Sequence, residues 1–205
     1  MKPDFSVSEL NSVLNRTQDL LQLLKKDADT ALEEVRTEKE ELKPYRRRVF
    51  IRSFFAFVEG HCFCHRSLLL KFDHEFKNKF SYAEILKLKQ LKEVVDSKTG
   101  ETKQVQQWLK IEESLKISLE WTSKAFGFSF KMDKESDGYK AFLESKEIRD
   151  ELMHPKRSAN LLISDLQFQR IEKAFVWFLS EVKRANKDLY GQLASDTVQF
   201  SLKHI

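Results

Sequence analysis

The chain is predicted to be all-α, and three observations carry that expectation. Its 205 residues include only five glycines and three prolines, so turns are few and breaker-free stretches are long. Those stretches are rich in Leu, Lys, Glu and Gln, which lose little conformational freedom in a helix. Apolar residues recur within them mostly at helical spacing. The length suits one domain with a core, or a domain plus an extended arm. Residues 1–44 read as a heptad-patterned helix, either packed on the bundle or forming an arm, and residues 45–205 as the helical domain proper.

The first helix opens with Ser6 and Glu9 at capping-box spacing, and Phe5 and Leu10 at the spacing of a hydrophobic staple. Val7, Leu10, Leu14, Leu21, Leu24, Ala28, Ala31 and Val35 then follow a heptad, with Thr17 as its polar exception. Val13, Leu20 and Leu32 widen the stripe beyond a strict two-stranded seam. A charged stretch from Glu38 to Lys43, closed by Pro44, separates this helix from a second over about Tyr45 to Phe72. Phe50, Ile51, Phe54, Phe55, Phe57, Val58, Phe63, Leu68 and Leu69 fall on nearly every side of that second helix, so it is expected to be buried on most faces.

A third helical pattern runs from about Tyr82 to Val95 and breaks at the turn chemistry of Asp96 to Glu101. That turn either closes a small hairpin, with Val94 and Val95 facing Val105, or joins two helices. A helix is expected over roughly Gln106 to Ala125. Phe126, Phe128, Phe130 and Met132 alternate in the manner of extended chain, reading as a core-plugging loop or, less commonly, a base-stacking platform. A further helix starts near Asp137 and ends at His154, because Pro155 disfavours the α conformation in the residue before it. The last helix opens with a second capping box, Ser164 with Gln167, and a second staple, Ile163 with Phe168. It continues through Ile171, Phe175, Phe178, Val182 and Leu189.

Composition excludes several classes of function. No run of about 18 apolar residues exists to span a bilayer, and Met1 to Glu9 lacks the basic-then-apolar pattern of a signal peptide. A cytoplasmic protein with no membrane partner is therefore expected. Cys62 and Cys64, the only cysteines, are two apart on a helix and point to different sides, which argues against a disulfide. There is no glycine-rich phosphate loop, no Ser-His-Asp arrangement and no carboxylate-rich metal cluster, and no cofactor is expected. In His61-Cys62-Phe63-Cys64-His65, His61 and His65 share a helical face, but a fourth ligand is not evident and no metal site is assigned. The net charge of +4 is mild; its distribution says more. Arg46, Arg47, Arg48, Arg52 and Arg66 gather on the second helix, and Lys156 and Arg157 follow His154.

The residues with most chemical content are Ile148-Arg149-Asp150-Glu151-Leu152-Met153-His154-Pro155. Arginine is a permanent cation shaped for phosphate, and histidine is a base and acid that titrates near neutral pH. Between them they can cleave RNA without a metal. On a straight helix five positions separate the two side chains by roughly 140°. Ending the helix at His154 frees its ring to swing back, and pairing two copies across a two-fold axis pools two arginines and two histidines in one cleft. Asp150 shares a face with His154. Arg52 and Glu59, seven apart, lie on one stripe of the second helix. If buried they must be paired, either as a structural ion pair with a third residue or as a network in which Glu59 orients Arg149 or His154.

The stretch Arg149-Asp150 to His154 resembles the motif of the HEPN superfamily, small α-helical domains in which an arginine, a polar residue and several variable positions precede a histidine at the end of a late helix. The resemblance extends over roughly residues 45 to 185. Arg47 to Leu70 is similar to the family's early buried helix, with Arg52 and Glu59 as its embedded charges, and Leu161 to Phe178 to its closing helix. It implies a HEPN-like helical bundle with a long N-terminal helix. The function implied is a metal-independent endoribonuclease of toxin–antitoxin, abortive-infection or phage-defence type, active as a homodimer. By that analogy Arg149, His154 and Asp150 are catalytic, with Glu59 and Arg52 supporting them and Arg46, Arg47, Lys156 and Arg157 steering the phosphates. RNA, a second copy and an antitoxin or operon partner are the implied partners, and 2′,3′-cyclic phosphate ends the implied products. The alternative is a catalytically silent HEPN-like module that binds RNA, a nucleotide or a protein partner. One branch of the family carries a tyrosine two residues after the histidine as a modification site; Lys156 stands there instead.

Overall fold

A computed structural model describes the backbone of residues 7–71 and 79–202, and the side chains of residues 12–71 and 79–187. Helices α1 (Val7–Thr37), α2 (Lys43–Lys71), α3 (Tyr82–Leu88), α4 (Ile111–Lys116), α5 (Thr122–Ala125), α6 (Asp137–Met153) and α7 (Asp165–Leu202) make up most of it. They are joined by strands β1 (Leu91–Val95) and β2 (Thr102–Gln106), a π-helical turn at Ile117–Trp121 and a 3-10 turn at Ser158–Leu161. Among the described residues the protein is therefore all-α with one small hairpin. The chain divides into two compact units, Met1–Cys64 with Asp133–Leu179 and His65–Met132 with Ser180–Ile205.

The first unit is built on phenylalanine. Phe50, Phe54, Phe55, Phe57, Phe142, Phe175 and Phe178 are all buried. Their rings meet largely edge to face, as ring quadrupoles favour: Phe54 with Phe175 at 5.3 Å, Phe57 with Phe178 at 5.3 Å and Phe50 with Phe175 at 5.5 Å. Helix α1 packs in this unit through Ala28, Ala31, Leu32 and Val35, all buried. Arg36 binds Glu172 at 3.0 Å, and Arg46 binds Glu34 at 2.8 Å. Leu14, Leu21 and Leu24 are only half-buried and Leu20 is exposed, so the heptad stripe is only partly used. The capping box and staple expected at Phe5, Ser6, Glu9 and Leu10 lie outside the described side chains, as does Leu189.

Helix α2 starts two residues earlier than expected, with Pro44 inside its first turn. Proline is tolerated there because the N–H it lacks would have no helical partner. One side of α2 is open: Arg52, Ala56, Glu59, Phe63 and Ser67 form an exposed stripe, with Phe63 58% accessible. The helix is thus not apolar on every side. Helix α6 approaches α7 closely at Gly138, where a Cβ would fall 2.5 Å from the Trp177 Cβ. Arg170 ties the same two helices together, with both nitrogens of its fork 2.7 Å from Glu144 and further bonds to Asp137 at 3.1 and 3.2 Å. The predicted capping box of α7 is present, Gln167 N–H to Ser164 Oγ at 3.2 Å and Ser164 N–H to Gln167 Oε1 at 2.9 Å.

The second unit holds the hairpin and a smaller core of Leu69, Leu88, Ile117 and Ala125, with Ile85, Trp121 and Phe126 packed against it. Helix was expected to reach Val95, but α3 stops at Leu88. Gln90 takes a left-handed conformation (φ 55°), and the β-branched Val94 and Val95 continue as strand. Pairing is antiparallel, Val95 opposite Thr102 and Leu91 opposite Gln106. Asp96 Oδ1 accepts from the backbone of Lys98 at 2.8 Å and Thr99 at 3.2 Å, and Gly100 supplies a φ of +73°. The helix expected from Gln106 begins only at Ile111, because Gln106 ends the second strand. Past the π turn and α5, extended chain was expected from Phe126, but Phe126 (φ −87°, ψ 7°) and Gly127 (φ 83°) form a turn closed by the Phe128 N–H on the Ser123 carbonyl at 2.8 Å. Residues 128–132 carry no regular structure, with Met132 buried and Phe126, Phe128 and Phe130 half-buried.

Candidate active site

Helix α6 is positioned by both its ends and its buried face. The Ser136 hydroxyl accepts from the Tyr139 N–H at 3.2 Å and caps the start. Gly138, Ala141, Phe142, Ser145 and Leu152 form the inward stripe at spacings of three, four and seven. His154 ends the helix at φ −130° and ψ 59°, its N–H bonded to the Asp150 carbonyl at 3.1 Å. Pro155 explains the break. His154 is exposed, so its ring is presented to solvent at the end of a rigid element.

Arg149 lies beside the buried stripe, its side chain 28% exposed. Its Nη2 donates to Glu59 of α2, and its Nη1 donates to Asp150 Oδ1 at 2.9 Å. The guanidinium carbon sits 5.8 Å from the centre of the Phe55 ring. An aromatic face and two carboxylates thereby fix the plane of the cation. Three of the expected site residues, Arg149, Asp150 and Glu59, are thus brought together. Asp150 gives its carboxylate to Arg149 and its carbonyl to the His154 backbone, so the carboxylate is committed to the arginine.

The other expected residues divide. Arg52 and Glu59 are exposed rather than embedded, because they lie on the open stripe of α2; Glu59 engages Arg149, and Arg52 stands outside the Arg149 cluster. Arg46 is held by Glu34 and by Glu38 at 3.4 Å. Arg47 donates to the Ile163 carbonyl at 2.7 Å and to Asp165, and its guanidinium carbon lies 5.2 Å from the Phe168 ring centre. Arg48 donates to the Leu161 carbonyl at 3.1 Å. Arg47 and Arg48 therefore hold the chain that follows the motif helix, and Arg46 ties the start of α2 to the end of α1 and the residue after it. Lys156 and Arg157 are exposed just after His154 and remain available to a phosphate.

Asn160 is a contributor that motif reading passed over. Its side-chain oxygen accepts from the Arg157 N–H at 3.0 Å, and its amide donates to Glu151 at 3.1 Å. It thereby fastens the loop that carries His154, Lys156 and Arg157 back onto α6. The signal was present in the sequence as an asparagine three residues after the start of a short turn, where Asx side chains replace backbone partners.

The His61 to His65 string is interior. His61 is buried against Phe178, ring centres 5.7 Å apart, and Cys62 and Cys64 are buried. His65 Nδ1 lies 3.0 Å from the Thr122 hydroxyl. Burial lowers the His65 pKa to about 4 and raises that of the Cys64 thiol. Among the described residues no group of three or more His, Cys, Asp or Glu side chains is placed to hold a metal ion. Among them, too, no helix is long and apolar enough to cross a membrane.

No family model, curated protein or solved structure matches this chain.

Proposed function

We propose that the chain is a HEPN-type endoribonuclease that works without a metal, in the cytoplasm, as part of a toxin or defence system. The observation that carries this reading is the fixed Arg149 on α6, gripped by Glu59 and Asp150, one helical turn and a half before the solvent-facing His154. His154 takes the proton from a ribose 2′-hydroxyl, and the resulting oxygen attacks the adjacent phosphorus. The 5′-oxygen leaves with a proton from the corresponding histidine of a second copy, giving a 2′,3′-cyclic phosphate and a 5′-hydroxyl. Arg149 stabilises the extra negative charge of the crowded phosphate. Glu59 and Asp150 orient it, and Lys156 and Arg157 draw the RNA backbone toward the site. Arg46, Arg47 and Arg52 have no part in the step.

A second reading is favoured by the same carboxylates. Both terminal nitrogens of Arg149 already have anionic partners, as suits a structural tie in a catalytically silent module that binds RNA, a nucleotide or a protein such as an antitoxin. Incubating the purified protein with RNA in EDTA separates the two. The nuclease reading expects cleavage, cyclic phosphate ends, and no attack on DNA, which lacks the 2′-hydroxyl nucleophile. Activity abolished by EDTA and restored by zinc or manganese overturns it, and an absence of cleavage with retained RNA binding selects the silent module.

A further inference from the structure

The second unit contains a cavity of about 200 Å3 lined by Ser123, Phe128, Ser129, Phe130, Lys131 and Arg184. Its walls follow from local chemistry. The turn at Phe126 and Gly127 (φ 83°) ends α5 and redirects the chain: Phe126 joins the core cluster and Met132 is buried, while Phe128, Ser129, Phe130 and Lys131 between them line the cavity. Arg184, on α7, also lines the cavity. Its Nη2 donates to the Lys131 carbonyl at 2.8 Å and to Glu181 at 2.7 Å, and its guanidinium carbon lies 4.9 Å from the centre of the Phe130 ring.

Glu181 is 4% exposed, and a buried carboxylate of this kind holds its arginine firmly. The guanidinium plane is therefore fixed before any ligand arrives. Its Nε and Nη1 have no bond among the described residues, and the exposed Lys131 adds a second, mobile cation at the rim. Aromatic side chains, a fixed guanidinium, a flexible ammonium and the exposed Ser129 hydroxyl match a planar ring joined to a phosphate. The volume is below the ~300–1,000 Å3 usual for whole small-molecule sites, which suits one unit of a longer chain.

We propose that this cavity binds one nucleotide of single-stranded RNA, its base stacked on Phe128 and its phosphate met by Arg184 and Lys131. The inference rests on the RNA-directed reading above, though not on cleavage. Aromatic stacking combined with cations is the usual physics of single-strand binding, and it tolerates any base.

The test is fluorescence anisotropy of the full chain with a labelled single-stranded oligoribonucleotide carrying 2′-fluoro groups, which cannot be cleaved through the 2′-oxygen. Phe128→Leu keeps apolar volume but removes the flat face, and is expected to raise Kd roughly tenfold. Lys131→Gln should weaken binding less and reduce the slope of log K against log salt by about 0.7. Arg184→Gln leaves Glu181 without this partner and is interpreted only alongside an unchanged circular dichroism spectrum; Phe128→Leu decides the matter without it. Parent-like binding by Phe128→Leu, no binding by the parent, or equal affinity for a duplex of the same sequence overturns the inference. A chain that binds through Phe128 and cleaves nothing sinks only the nuclease reading. A chain that cleaves RNA while Phe128→Leu binds normally sinks only this one.

Discussion

Histidine ends α6 at position 154 and lies inside α2 at position 65, and the two settings give one side chain opposite properties. His154 stands in solvent at a helix break, tied to the protein by its backbone N–H. His65 is 7% exposed and shares a hydrogen bond with Thr122. Desolvation penalises the charged ring, so His65 is held neutral down to about pH 4. The exposed ring is open to solvent, and the buried one has become part of the packing. A histidine counted in a sequence is therefore no guide to chemistry until its place on the helix is known.

The sharpest way to break the comparison is to remove each ring and ask which property is lost. For His154→Ala, RNA cleavage is expected to fall by at least about 10²-fold, the usual contribution of a positioned acid–base group. Unfolding in urea should shift by less than about 0.5 kcal/mol, as for other exposed positions. Arg149→Lys keeps the charge but loses the planar fork that meets Glu59 and Asp150, so a loss on the order of 10²-fold is expected from it too. Cleavage kinetics on a defined RNA, beside urea curves of the same preparations, test both. Full activity in His154→Ala would remove the residue from the mechanism.

His65 should show the reverse pattern, with stability lost and chemistry spared. Its folded pKa of about 4 is below the ordinary 6.5, so as pH falls the unfolded chain takes up the proton first. The stability that neutral His65 confers is complete above about pH 6.5 and is lost between there and pH 4, on the order of 3 kcal/mol in all. His65→Gln can keep a bond to Thr122 without titrating, and should flatten the fall in unfolding free energy over that window. Urea titrations at several pH values across it provide the measurement. An equally steep fall in the variant would assign the acid sensitivity to other groups.

Much of this was legible in the sequence, for reasons that differ from residue to residue. The end of α6 at His154 could be read because proline acts on its neighbour by local sterics alone. The capping box at Ser164 and the turn around Gly100 are equally local. What could not be read was which side of α2 faces water. Arg52 and Glu59 looked embedded because phenylalanines surround them in sequence, yet the open stripe depends on which helices cover α2, a tertiary fact. The same holds for Arg46 and Arg47, whose partners Glu34 and Ile163 are 12 and 116 residues away. The end of α3 was missed for a different reason: helical spacing and strand propensity compete in Leu91 to Val95, and a left-handed Gln90 decides between them.

A smaller effect sharpens the comparison from the acid side, because carboxylates held by cations titrate in a different window from His65. Asp137 is held below the usual carboxylate range by Lys173 and Arg170, and Glu144 by Arg170. These groups lie at the surface, where water and salt screen them, so the network contributes modestly. Its stability is present above the unfolded carboxylate pKa of about 4 and is lost as pH falls through the lower folded values. Arg170→Gln should therefore lower Tm slightly near neutral pH, less so in high salt, and the deficit should shrink as pH falls below the unfolded value of about 4 and through the lowered folded values, where the carboxylates become protonated in the parent as well. The His65 contribution is spent before that range begins, so the two substitutions act on separate limbs of one acid-unfolding profile. Should the Arg170→Gln deficit persist undiminished at the lowest pH, the stem of Arg170 stabilises the α6 and α7 pair by packing, and its charge is incidental.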